Sequence, residues 1–119
     1  MVDRNAAALL GALLVDGSAV ERVRGIVEPR DMPTRQGRLL LEAIYAVHSR
    51  VGAVDFVLVA DELERRGHLL DVGTGNLAAL INHCPCSLHA EHYARHVALA
   101  AEARLGRAAA GAGRGVIPL

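Results

Sequence analysis

Apolar residues recur every three or four positions along most of this chain, a spacing that predicts one α-helix after another. Asp3 is placed to cap a first helix whose Ala6, Leu9, Leu10, Leu13 and Leu14 share a face, ending near Asp16 and Gly17. Ser18 and Glu21 stand at capping-box spacing before a second helix that buries Val20, Val23, Ile26 and Val27. Pro29 and Pro33 bracket a break, because each lacks an amide hydrogen and drives its preceding residue out of helical geometry. Thr34 opens a longer helix to about Arg50, with Leu39, Leu40, Ala43, Ile44 and Val47 inward. Gly52 ends it, and Asp55 caps a fourth helix carrying Phe56, Val59, Ala60 and Leu63, which Gly67 stops. Residues 71–76 read as a loop, Leu77 to Ile81 as a short helix and Pro85 as a turn. A last helix runs from after Ser87 to about Arg107, with Tyr93, Val97, Ala100, Ala101 and Leu105 on one side. The fold class expected is all-α, a bundle of about six helices over residues 1–107, followed by a flexible Gly/Ala-rich tail at 108–119.

Composition narrows this further. The 119 residues fit one domain. An apolar fraction of 52% with only 3% aromatic residues requires a core of Leu, Val, Ile and Ala, with Tyr45, Phe56 and Tyr93 as its large rings. The 13 basic residues, all arginine, balance 13 acidic ones, so no net field draws this domain alone to nucleic acid or to an anionic membrane. No apolar run approaches the ~20 residues of a membrane span, and no basic-then-apolar leader opens the chain, so a cytoplasmic protein is expected. Cys84 and Cys86 are too few and too close for a disulfide framework.

Three segments carry potential chemistry. His83, Cys84 and Cys86, followed by His89, His92 and His96, gather zinc-ligand residue types, yet Cys-x-Cys is shorter than the usual two-to-four-residue gap; these read as solvated side chains rather than a metal site. Gly73-Thr-Gly75 belongs to neither phosphate-binding glycine motif and reads as a turn. Asp61, Glu62 and Glu64 with Arg65 and Arg66 read as a solvated helix face. No nucleophile motif is present, so no catalytic, cofactor-binding or metal residue is assigned and no cofactor is expected.

The order of these segments resembles the N-terminal domain of the DnaB-type bacterial replicative helicases. LGALLVD at residues 10–16 is similar to that family's LGxLLLD, VEPRD at 27–31 to the segment before its third helix, and RLLLEAI at 38–44 to the start of that helix. VDFVLVADELERRG at 54–67 resembles VDxxTLxxELxxRG almost position for position, and EHYARHV at 91–97 resembles xxYAxxV. The chain departs from the pattern at Met32-Pro33, where the family usually carries Phe-Tyr, at Gly37, where it carries histidine, and at Leu41, where it carries an aromatic residue.

The resemblance implies a non-catalytic interaction and oligomerisation module of a replicative helicase, with primase or a helicase loader as partner and a C-terminal hairpin helix cut short. It further implies a homodimer or higher oligomer, whose contact is expected at Tyr93, Val97, Ala101, Arg104 and Leu105, unless that stripe folds back on the domain's own core. Three other classes remain open: a stand-alone adaptor or inhibitor sharing the fold, a small His/Cys metal-binding regulator, and an enzyme whose site is dispersed along the chain.

Overall fold

The computed structural model describes residues 4–82 and 87–108, Ser87 and residues 105–108 for their backbone alone. Within them lie seven α-helices and no strand: α1 (Arg4–Val15), α2 (Ala19–Val23), α3 (Arg35–Val51), α4 (Phe56–Arg66), α5 (Leu69–Val72), α6 (Thr74–Asn82) and α7 (Ala90–Ala108). Short 3-10 turns stand at Pro29–Asp31 and Ser87–His89. The proposed tail, beyond Ala108, lies outside the described residues, as do Asp3 and residues 83–86.

α1 is the central helix. Its Ala6, Leu9, Leu10, Leu13 and Leu14 are all buried, and it packs against α7, α6, α3 and α2. Ala12 on α1 and Ala90, Ala94 and Ala101 on α7 are likewise buried, and such small side chains permit close helix approach. α3 carries a second part of the core, with Leu40, Leu41, Ala43, Ile44 and Val47 inward, and packs on α4 and α5.

Local signals explain the boundaries of α3 and α4. The Thr34 hydroxyl accepts from the Gly37 amide at 3.0 Å, and the Asp55 carboxylate accepts from the Leu58 amide at 2.8 Å, each satisfying a helix-start donor. Gly52 and Gly67 end α3 and α4 in the left-handed region, at φ 82° and 80°. Gly17 meets a different demand: a Cβ there would lie 2.8 Å from the Val54 nitrogen, so the α1–α2 corner closes on the α3–α4 connection only without a side chain.

Three local expectations are corrected. Ser18 has helical dihedrals and makes no side-chain cap; its hydroxyl donates instead to the Asp16 carboxylate at 2.6 Å, closing a local turn. The segment 71–76 is largely helical: α5 ends at Val72, Gly73 at φ 85° makes the corner, and α6 begins at Thr74. Glu62, expected on a solvated face, is buried. Among the described residues no single helix is long and apolar enough to cross a membrane.

Candidate functional site

A groove of about 860 Å³ lies where the first turns of α1 and α3 meet α6. The buried residues lining it are Ala6, Leu10, Met32, Gly37, Leu40 and Val72, while Ala7, Ala8, Ala79, Leu80 and Tyr93 are more exposed. Four alanines and a glycine are among the lining residues. Arg4 is the one charged residue in its lining; Asn5, Thr34, Gln36 and Asn76 supply the polar groups. The Asn76 amide is already engaged, donating to the Val72 carbonyl at 2.6 Å and bracing the α5–α6 corner. Volume and lining match those of binding sites, mostly apolar with a few fixed polar groups.

Residue periodicity does not reveal this groove. A partial signal was available, since Met32, Pro33 and Gly37, three of the departures from the helicase-like pattern, all line it. Smaller groups at these positions leave room that larger ones would fill.

The opposite end of α3 is closed. The Glu62 side chain is fully buried and takes Arg50 on one oxygen at 3.0 Å and Arg65 and Arg66 on the other, each at 2.6 Å. Hydrogen bonds from Arg65, then Arg66, with a smaller share from Arg50, outweigh burial and hold the carboxyl at about 2, below its ordinary 4.5. A carboxylate so occupied has no proton to give near neutrality and joins α4 to the end of α3. On α3, the Tyr45 hydroxyl donates to the Val27 carbonyl at 2.7 Å, and Arg24 lies 4.9 Å from the ring centre. Burial pushes the Tyr45 hydroxyl's pKa up, so it remains a donor.

The five residues expected at a subunit contact are distributed differently from one another. Val97 and Ala101 are 3% and 0% exposed, enclosed by the chain's own core. Tyr93 is half-buried and lines the groove. Arg104 is exposed and donates to the Asp31 carbonyl at 3.2 Å, fastening α7 to the turn before α3. The side chain of Leu105 lies outside the described residues. At Val97 and Ala101 the stripe therefore folds back on its own domain. The face of α7 left open carries His92, Arg95, His96, Leu99, Ala100 and Ala103 instead.

Of the histidine and cysteine cluster, His83, Cys84 and Cys86 lie outside the described residues. Among the described residues no three His, Cys, Asp or Glu side chains converge as metal ligands. His89 sits in the 3-10 turn rather than on α7, its ring edge toward Tyr93 at 6.4 Å, whereas the His92 and His96 rings are 4.5 Å apart.

Comparison with known proteins gives a consistent answer. The family described as DnaB-like helicase N terminal domain matches residues 5–98. The crystal structure of the N-terminal domain of DnaB helicase from Mycobacterium tuberculosis superposes with a TM-score of 0.85 at 32% sequence identity, covering 91% of this chain and 80% of that one. No match is found among curated proteins.

Proposed function

This chain belongs to the family of DnaB-like helicase N-terminal domains, and from that premise we propose that it serves as a non-catalytic docking and assembly module of a replicative helicase. The groove carries the reading. It is a largely apolar concavity of about 860 Å³ with a single charge in its lining, on a domain whose formal net charge is zero. A helix or loop of a primase or helicase loader that inserts apolar side chains there buries area without desolvating a carboxylate.

Ala79 is exposed and lines the groove, so Ala79→Arg obstructs it without disturbing the core. Titration of the purified primase and loader against the chain is expected to show binding by one of them, weakened at least about tenfold by Ala79→Arg at unchanged melting temperature. Equal affinity of wild type and variant, or binding by neither protein, removes the groove from the function.

Self-association is proposed on the outward face of α7, flanked by Tyr93 and Arg104. Leu99 is 62% exposed there, beside exposed Ala100 and Ala103, and small residues let a second helix approach closely. Leu99→Asp is expected to lower the association state in sedimentation while leaving the fold intact. Val97→Asp, at a position 3% exposed, is expected to unfold the domain instead, because its charge has to be desolvated. A Leu99→Asp chain that associates like wild type excludes this face.

A further inference from the structure

His92 and His96 lie one turn apart on α7, both exposed, with ring centres 4.5 Å from each other and ring planes inclined at 67°. Spacing of i and i+4 puts two imidazoles over the same strip of helix, the arrangement by which helical histidine pairs chelate a cation. The ring of Tyr93 lies in a T-shaped arrangement with that of His92, centroids 6.2 Å apart. No hydrogen bond to a described residue engages either ring, so the nitrogen lone pairs do not have to be withdrawn from a protein partner. Exposure keeps the desolvation cost of a bound ion low.

We propose that His92 and His96 form a two-imidazole chelate for a late first-row divalent cation (Cu²⁺, Ni²⁺ or Zn²⁺) on the open face of α7. Imidazole nitrogen is a borderline ligand suited to these ions and poorly suited to Mg²⁺ or Ca²⁺, which take oxygen. Two protein ligands leave further coordination positions for water or for a group from another chain, so the site is accessory to the fold and not a structural centre of four closed ligands. Metal held across one turn also fixes that turn, and it stabilises the folded state in proportion to its preference for it.

The test is calorimetric titration of the full chain with CuCl₂, NiCl₂, ZnCl₂ and MgCl₂, on wild type, His92→Ala, His96→Ala, and a Cys84→Ser/Cys86→Ser double variant. Wild type is expected to take up one Cu²⁺ most tightly, Ni²⁺ and Zn²⁺ less tightly, and Mg²⁺ not measurably. Either alanine substitution is expected to weaken Zn²⁺ binding at least about tenfold, as loss of one arm of a chelate does, with unchanged circular dichroism because both positions are exposed. The cysteine variant is expected to bind like wild type. Wild-type binding that persists at full strength in both alanine variants, disappears in the cysteine variant, or is absent at millimolar Zn²⁺ overturns the assignment.

Discussion

The two ends of α3 solve opposite problems. At its C-terminal end Arg50 joins Arg65 and Arg66 around the buried Glu62, and Gly52 turns the chain directly into α4. At its N-terminal end Thr34 and Gly37 face a groove that the neighbouring alanines of α1 and α6 leave unfilled. One end converts polar groups into a closed clamp; the other withholds side-chain volume and keeps a surface open. The two go together, because a groove retains its shape only if the helices around it are held from elsewhere.

The largest expected contrast is a pair of truncations. Leu63 is 0% exposed beside the clamp, and Leu63→Ala is expected to cost about 2–5 kcal/mol in urea unfolding. Leu80→Ala, on the partly exposed groove wall, is expected to cost less than about 1 kcal/mol. Similar losses at both sites would mean that the groove end is as tightly packed as the clamp.

A smaller effect isolates the clamp's charge. Glu62→Gln keeps the shape but removes the anion, and is expected to cost about 1–3 kcal/mol at neutral pH, the range for charge-assisted hydrogen bonds. The sign with pH follows from a folded value of about 2 lying below the ordinary 4.5. The ionised carboxylate's contribution is complete above pH 4.5 and is lost as pH falls toward 2. The stability gap between wild type and Glu62→Gln should therefore narrow across that window. A gap that stays constant would show that the three arginines do not favour the charged form.

The smallest effect concerns the bond between α3 and the segment before it. Tyr45→Phe removes the donor to the Val27 carbonyl and is expected to cost about 1 kcal/mol. Because Tyr45 belongs to neither end, groove binding should be unaffected; a change in partner affinity would mean that the clamp and the groove are coupled through α3.

Several features were legible because they depend on a few consecutive residues. Thr34 and Asp55 cap helices as their residue types require, and Gly52 and Gly67 stop them with a left-handed residue. Ser18 misled because capping needs an extended backbone at the cap as well as a hydroxyl, and the tight α1–α2 corner leaves it helical. Gly73 and Gly75 suggested a loop, yet one positive-φ residue suffices for the corner and helix continues on both sides. The candidate site was the least visible part. Its lining comes from separate stretches of chain, and small residues that leave a space resemble small residues that permit close packing until their neighbours are known.

The sequence by itself determined the all-helical class, the starts and stops of α3 and α4, and, through the collinear order of its segments, the family to which the chain belongs. These follow from hydrogen bonding and periodicity within single turns of helix. Tertiary structure alone decided which charges are buried, which face of α7 is spent on the core and where a groove is left. Glu62 and Glu64 are the same residue type two positions apart, yet one is enclosed by three arginines and the other is exposed. Burial is a property of what packs opposite a residue, and for α7 that partner is α1, some eighty residues earlier in the chain.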